Sequence, residues 1–146
     1  MISKKQERVA QLRNKSEFNT EAAELLIDSN VYAPSVHCSY YAVFQLIKHF
    51  FVKYKEITYL ELSEMNRADG RTSHKYLIEE YYLYLSHDSD CSLDRREIRN
   101  LQRKTGDLRH FRVKSDYENL TINHYTANKA LSISKEIIEE LKRARR

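Results

Sequence analysis

The sequence predicts an all-α fold, a single domain over residues 1–146 that forms an up-and-down bundle of four to five helices. Composition is the first observation behind this prediction, because 146 residues include only 2 glycines and 1 proline, the residues that punctuate turns and interrupt helices. Periodicity is the second, because apolar residues recur at spacings of three and four in several segments, as along one face of a helix. Residues 57–62 alternate as a strand would, but no second segment offers a strand to pair with them.

Chain length and cysteine content fit a cytoplasmic domain. A chain of 146 residues can bury a core without covalent staples. Cys38 lies in an apolar helical run where a small buried thiol is usual, and Cys91 is the second of two cysteines, so we expect a reducing compartment and no disulfide framework. The N-terminal stretch lacks an apolar signal-peptide core, and no apolar run approaches the roughly 20 residues of a membrane span. We therefore expect a cytoplasmic protein with no membrane association.

The first two helices are predicted over most of residues 3–30 and from Pro34 onward. Thr20 precedes an apolar segment and fits a helix cap after a bend near Asn19. Proline is tolerated in the first turn of a helix, and the apolar spacing that follows Pro34 is the most regular of the chain. We predict that this second helix is the centre of the bundle. Its apolar positions are Val36, Tyr40, Val43, Phe44, Ile47, Phe50, Phe51 and Tyr54.

The middle of the chain is less regular. Residues 55–72 are interpreted as a loop or a helical turn, and Asp69-Gly70 indicates a tight turn within it. From Ser73 to residue 86, tyrosines and leucines recur at helical spacing. A tyrosine stripe of this kind is typical of a helix that faces the core, whereas base-stacking platforms lie on sheets or exposed loops. We therefore predict a core helix here.

A strongly basic helix follows. Ser92 is predicted to cap it, and Thr105-Gly106 marks a kink or a break within it. Between Arg95 and Lys114, eight Lys or Arg residues accompany two acids, a net charge of +6, whereas the rest of the chain has 17 basic and 19 acidic residues. This distribution is typical of a localised anion-binding surface. A last helix is predicted to begin at Thr121.

Three segments of the chain resemble the HEPN family of bacterial helical domains. The first is Ala23-Glu24-Leu25-Leu26 followed by Tyr32 and residues 35–44 (SVHCSYYAVF), which is similar to the aromatic second helix of that family. The second is Ser73-His74-Lys75, similar to the tripeptide that opens its third helix. The third is residues 108–117 (LRHFRVKSDY), which resembles its Leu-Arg-x-x-Arg-x-x-Ala/Ser-Asp-Tyr signature. The resemblance covers residues from about 20 to 140.

The resemblance implies a bundle that dimerises, often across the helices bearing this signature, and a role in toxin–antitoxin, defence or RNA-processing systems. Active ribonucleases of the family have an Arg, four to six residues, and then a His. Arg103 and His110 are separated by six residues and fit that spacing as the catalytic pair. The histidine would act as acid or base and the arginine would stabilise charge on the phosphate, with the ribose 2′-hydroxyl as nucleophile. On an unbroken helix the two lie about 10 Å apart, so they meet only if the helix breaks at Gly106 or a dimer supplies one of each pair.

Other residues of the basic helix divide into two predicted roles. Arg99, Lys104 and Arg109 are predicted to bind the phosphates of RNA or of a nucleotide. Arg112 and Asp116 are predicted to form a partly buried ion pair, with Tyr117 packed against the second helix near Tyr40 or Tyr41. No metal or other cofactor is expected, because the histidines of the second helix have no cysteine or acid at metal-ligand spacing.

Two functions remain open at this point. The first is a protein that binds RNA or nucleotide phosphate through the basic helix and cleaves RNA with Arg103 and His110. The second is a non-catalytic dimerisation module whose basic helix docks an acidic protein partner, such as a nucleotidyltransferase antitoxin. A metal-dependent hydrolase of the ferritin type is excluded, since Glu-x-x-His pairs on facing helices are lacking.

Overall fold

The computed structural model describes residues 4–70, 72–117 and 122–145, and the all-α prediction is confirmed, with helices and no strand in those ranges. The described residues form six helices rather than the four to five predicted. They are α1 (Lys4–Asp28), α2 (Tyr32–Lys55), α3 (Tyr59–Asp69), α4 (Ser73–His87), α5 (Arg95–Tyr117) and α6 (His124–Ala144).

Helix α2 is the centre of the bundle, as predicted. It packs against α1, α4, α5 and α6. Tyr40, Val43 and Ile47 have no exposed surface at all, which places the middle of α2 inside the core. Because α2 is surrounded by other helices, residues on several of its sides face neighbours rather than solvent, and this is why its sequence is the most apolar of the chain.

Helix α1 is continuous past the cap predicted at Thr20. The hydroxyl of Thr20 donates to the carbonyl of Ser16, one turn earlier, so Thr20 is an interior helical residue rather than a cap. Two other hydroxyls connect α1 to α2, since Ser16 donates to the carbonyl of Ala42 (2.6 Å) and Ser35 to that of Ala23 (3.0 Å). Both of these serines are buried, so their hydrogen bonds satisfy polar groups inside the core.

Helix α3 is the additional element, and the interpretation of residues 55–72 as a loop or a single turn is wrong. Thr58 caps the helix by accepting from the backbone N–H of Glu61 (3.1 Å), and the Glu61 carboxylate accepts from the backbone N–H of Thr58 (3.3 Å). This reciprocal capping box satisfies two backbone donors that would otherwise lack partners. Gly70 ends the helix in the left-handed region at φ 85°. The Thr-x-x-Glu spacing and this glycine were the signals for the helix in the sequence.

The structure also bears on the predicted starts of the last two helices, Ser92 and Thr121. Ser92 does not cap α5, because its hydroxyl donates to the carbonyl of Arg143 (2.5 Å) and joins the end of α6. Asp94 is the cap instead, accepting from the backbone N–H of Glu97 (2.8 Å). Thr121 lies outside the described residues, and α6 is capped by Asn123, whose side chain accepts from the backbone N–H of Thr126 (2.9 Å).

Candidate nucleic-acid interface

Helix α5 passes through Gly106 without interruption. It is helical from Arg95 to Tyr117, and a β-carbon built on Gly106 would meet no atom within 4 Å. The glycine therefore neither breaks the helix nor admits another backbone, and the predicted break is absent. Within one protomer, Arg103 and His110 remain about 10 Å apart along the helix axis. A break in the helix at Gly106 therefore does not bring Arg103 and His110 together.

The outer face of α5 turns its charged side chains to solvent. We define this face as the exposed residues Arg96, Arg99, Arg103, Gly106 and His110, which recur every three or four positions. Residues seven apart differ by two helical turns and lie on the same side of a helix, so Arg103 and His110 share one line. Arg103 is 66% exposed and contacts Asp107 at 3.6 Å, a surface pair that a phosphate can displace at little cost.

Lys104 points elsewhere. Its ammonium lies 3.2 Å from a carboxylate oxygen of Glu140 and 3.5 Å from one of Glu136, both on α6, and its side chain is 26% exposed. These contacts join α5 to α6 and already neutralise the lysine. Lys104 differs in this respect from Arg99 and Arg103, with which the sequence grouped it.

The inner face of α5 contains an ion pair rather than an anion site. The side chains of Arg112 and Asp116 are 15% and 24% exposed, and Arg112 Nε lies 2.8 Å from Asp116 Oδ2. Nε makes no hydrogen bond among the described residues, so this contact is an ion pair without a hydrogen bond. The Arg112 guanidinium also lies over the rings of Tyr40 (5.7 Å) and Tyr41 (5.6 Å), a cation–π arrangement that connects α5 to α2.

The end of α5 is joined to α2 by two further contacts. Asp116 Oδ2 lies 3.3 Å from His37 Nδ1, and the Ser115 hydroxyl donates to the carbonyl of Ala33 (3.1 Å). Tyr117, however, is 72% exposed, so the prediction that it packs against α2 is wrong. Arg112 occupies the position over Tyr40 and Tyr41 that was assigned to the Tyr117 ring.

His74 completes the arrangement from α4. Its Nδ1 lies 2.7 Å from the hydroxyl of Tyr40, and its ring stacks on Phe44 with the ring centroids 4.0 Å apart. Burial lowers the pKa of His74 to about 4, and the positive charges of Arg112, Arg109 and Lys48 act in the same direction. The imidazole is therefore neutral at pH 7. The Ser-His-Lys tripeptide is one of the three segments that carry the family resemblance, but nothing in its spacing predicts that His74 contacts Tyr40.

Burial has the opposite effect on Tyr40, because it disfavours the phenolate. It raises the pKa of Tyr40, while Arg109 and Arg112 oppose that shift. We call the connected set of side chains the inner polar cluster. Its members are His37, Tyr40, Tyr41, His74, Arg109, Arg112 and Asp116.

Arg109 lies at the boundary between the two faces. Its Nε atom is buried and has no hydrogen-bond partner among the described residues, and its side chain reaches the neighbourhood of Tyr40. It also lines a shallow groove of about 240 Å³ between α4 and α5, together with Lys75 and Gly106. Arg109 thus differs from Arg99 and Arg103, because part of its guanidinium already belongs to the inner polar cluster.

The described residues contain no group of His, Cys, Asp or Glu side chains that could hold a metal ion, and no helix among them is apolar and long enough to cross a membrane. An all-helical domain with a basic helix held by an arginine–aspartate pair is the class of protein that the fold and these contacts define.

Comparison with known proteins identifies the family. The model of the HEPN domain matches residues 9–144, which is nearly the whole chain. The protein belongs to the HEPN domain family, and the resemblance noted in three segments of the sequence is confirmed. No curated protein and no solved structure matches the chain significantly. HEPN membership connects the chain with RNA-related, toxin or defence roles in general.

Proposed function

We propose that this HEPN protein binds RNA through the outer face of α5. The observation that supports the proposal is the line of exposed cationic and imidazole groups, Arg99, Arg103 and His110, on a helix without a break. Exposed guanidinium groups spaced along one side of a helix can contact successive phosphates of a flexible strand. The inner arginine, Arg112, takes no part, because Asp116 and two tyrosine rings already surround it.

Binding is tested with a fluorescently labelled single-stranded RNA and a double variant, Arg99→Ala with Arg103→Ala. We expect an affinity loss of at least about tenfold, and a slope of log affinity against log salt that is smaller by about 1.4, the value for two phosphate contacts on a single strand. The matched control is Arg13→Ala with Arg67→Ala, which removes two exposed arginines from α1 and α3. Equal losses in both double variants would refute a specific role for the outer face.

We further propose that the protein cleaves the bound RNA, and this activity requires two copies of the chain. Since α5 is unbroken, Arg103 and His110 of one protomer lie about 10 Å apart, so the pair must come from both members of a homodimer. The two single variants Arg103→Ala and His110→Ala should each be inactive. Mixing them should restore about a quarter of the activity, because half of the dimers are mixed and each mixed dimer has one intact pair. RNA decay that is equal for the normal protein and for His110→Ala would end the claim of catalysis.

A non-catalytic role is the second candidate, and the separation of Arg103 from His110 on one helix favours it. In that case the outer face docks an acidic protein partner, such as a nucleotidyltransferase antitoxin, and RNA binding is incidental. The salt dependence separates the two functions. A slope below about 1.4 for RNA binding, less than two phosphate contacts, would support the docking role over the RNA-binding role.

A further inference from the structure

Helix α1 is apolar on two opposite sides. Ala23 and Ile27 are buried against the rest of the bundle. On the opposite side, Phe18 and Leu25 are 66% and 67% exposed. Because these two residues are seven positions apart, about two turns, they lie on one line along the helix, with the partly exposed Ala22 between them. Among the described residues, α1 has thus packed only one of its two apolar sides.

A row of exposed carboxylates runs along one flank of this apolar line. Its members, spaced by three and four positions, are Glu17, Glu21, Glu24 and Asp28. Between residues 11 and 28 the chain has these four acids and two cations, a net charge of −2, whereas the whole chain has a net charge of +4. We call the three apolar residues and the four acids the acidic-apolar surface of α1. It differs in sign of charge from the outer face of α5.

The carboxylates of this surface are only partly neutralised within the chain. Glu24 lies 2.7 Å from the ammonium of Lys135 on α6. Glu17 contacts Arg13 at 3.9 Å, and both of these side chains are more than half exposed, so that pair is weak. Glu21 and Asp28 have no ion pair among the described residues. Two carboxylates are therefore available to cations of a partner.

A groove of about 380 Å³ lies between α1 and α6, beside the acidic flank. The partly buried Ile138 is an apolar part of its wall. The charged residues that line it are Glu17, Glu21, Lys135, Glu139 and Lys142. Three carboxylates and two ammonium groups leave the groove negative, and the ammonium of Lys135 is already held by Glu24. The groove thus continues the combination of apolar and acidic groups from α1 toward α6.

A second copy of this chain does not fit the acidic-apolar surface. In an antiparallel pair of α1 helices related by a two-fold axis, the same flank of each helix meets that of the other, so acids would face acids. In a parallel pair the four acids would meet the opposite flank, where Lys15 is one cation against four acids between residues 11 and 28. The outer face of α5 is basic, but it has no apolar side chain that could cover Phe18 and Leu25.

A lipid surface does not fit it either. Helices that lie in the membrane interface carry lysines and arginines beside their apolar side, and the cytoplasmic leaflet of a membrane is itself negative. The carboxylates of α1 would be repelled from such a surface. A partner must instead bring both apolar cover and positive charge. An amphipathic helix with lysines or arginines along one flank supplies the two together.

We propose that the acidic-apolar surface of α1 docks a basic amphipathic helix of a partner protein. The apolar side of that helix covers Phe18 and Leu25, and the small side chain of Ala22 lets the two helices approach closely. Lysine or arginine side chains on its flank pair with Glu21 and Asp28. The proposal goes beyond RNA binding, since this surface shares no residue with the outer face of α5. Because the two surfaces have opposite charge, a partner that suits one of them is repelled by the other.

The probe is a fluorescently labelled peptide of about 18 residues, or five helical turns, with leucines on one side and lysines along one flank. Its binding to the full chain is measured by fluorescence anisotropy. Phe18→Ser with Leu25→Ser should weaken binding at least about tenfold, since a few large side chains carry most of the affinity of an interface. The matched control is Leu60→Ser with Leu83→Ser, which removes two exposed leucines from α3 and α4 and should leave binding unchanged. Equal losses in both double variants, or a normal protein that does not bind the peptide, would overturn the proposal.

Two altered peptides separate the apolar and the charged parts of the contact. A peptide with glutamine in place of every lysine should bind about threefold more weakly. A lysine peptide with the same composition in scrambled order, which has no apolar side, should not bind. On the protein, Glu21→Gln should weaken binding of the original peptide, whereas Glu64→Gln, a change of an exposed acid on α3, should not. Equal affinity for the original peptide and either altered peptide would overturn the proposal.

Two further measurements decide between a partner helix and the other occupants. Light scattering should give the same mass for the normal protein and for Phe18→Ser with Leu25→Ser, and a smaller mass for the variant would assign the surface to a second copy and overturn the proposal. Flotation with vesicles of phosphatidylcholine and phosphatidylserine should show no binding that depends on these two residues, and vesicle binding lost in the variant would also overturn it. RNA binding by the variant should equal that of the normal protein, because the outer face of α5 is unchanged.

Discussion

The two faces of α5 present the same residue type in opposite circumstances. Arg103 is 66% exposed and has one weak surface pair, whereas Arg112 is 15% exposed and is surrounded by Asp116, Tyr40 and Tyr41. The positive charge of the outer face is available to a partner, and that of the inner face is used within the fold. The net charge of a helix therefore overstates the charge that it offers for binding.

This difference can be tested by how each arginine affects stability. Arg112→Ala should lower the free energy of unfolding by about 3 kcal/mol, since it leaves the Asp116 carboxylate partly buried without its partner and removes the contact with two rings. Urea denaturation measures the change. The matched change on the other face, Arg103→Ala, should cost less than about 0.5 kcal/mol, as exposed pairs contribute little.

Asp116→Ala extends the same experiment, because it removes the other member of the pair. A melting temperature unchanged by both Arg112→Ala and Asp116→Ala would show that the inner ion pair contributes nothing to the fold. The charged side chains of the inner and outer faces would then not differ in their effect on stability.

A hydrogen bond between two uncharged side chains, on the inner face of α5, gives the next largest expected effect on stability. Tyr82 and Thr105 are both buried, and their hydroxyl oxygens lie 2.6 Å apart. Thr105→Val keeps the shape but leaves the Tyr82 hydroxyl without a partner, so we expect a loss of about 2 kcal/mol in unfolding free energy. Adding Tyr82→Phe should recover much of that loss, since replacing both partners by apolar groups can be nearly neutral. Losses that simply add in the double variant would contradict this interpretation.

His74, which contacts the inner face of α5 through the inner polar cluster, makes the stability of the fold depend on pH. The pKa of His74 is about 4 in the folded protein, below the ordinary value of about 6.5 for the unfolded chain. The unfolded chain thus binds more protons in this interval, and stability is lost as the pH falls from about 6.5 to 4. Because His74 is only half-buried, solvent screening reduces the expected loss to about 1–2 kcal/mol.

Urea denaturation at pH 6.5 and at pH 4.5 measures this loss, with His74→Gln as the comparison. The variant should lose less stability than the normal protein over that range, because the group that must stay neutral is gone. An identical loss in both proteins would assign the pH dependence to other side chains.

Much of the fold follows from local patterns in the sequence. The apolar spacing of α2 required burial on several sides, and the rarity of glycine and proline required long helices with short connections, so both predictions were confirmed. Helix α3 was missed although Thr58, Glu61 and Gly70 supplied its start and stop signals, because residues 57–62 alternate without a helical period and the segment was interpreted as a loop or a helical turn. The sequence of this segment therefore contains the start and stop signals of the helix.

The division of the basic helix into two faces was only partly predictable. The Arg112–Asp116 pair was predicted from the resemblance to the family, and the structure contains it. The position over Tyr40 and Tyr41 was assigned to the wrong residue. Arg112 occupies it, whereas Tyr117, five residues further along α5, points about 140° away around the helix and is exposed. The contact of His74 with Tyr40 joins residues 34 positions apart on different helices, and no periodicity in either helix encodes it.

The smallest expected effect on stability concerns Gly106, which lies on the outer face. Glycine in a helix interior destabilises by roughly 0.5–1 kcal/mol relative to alanine, and a β-carbon at Gly106 would meet no atom within 4 Å. Gly106→Ala should therefore raise the free energy of unfolding by about 0.5–1 kcal/mol in urea denaturation. Gly70→Ala is the matched control, and it should lower stability because its φ of 85° strains any residue with a side chain.

RNA binding measured on the Gly106 variant should not change, since an unbroken helix presents Arg99, Arg103 and His110 in the same line. A Gly106→Ala protein that gained stability but lost RNA binding would show that the outer face works only when α5 can bend there.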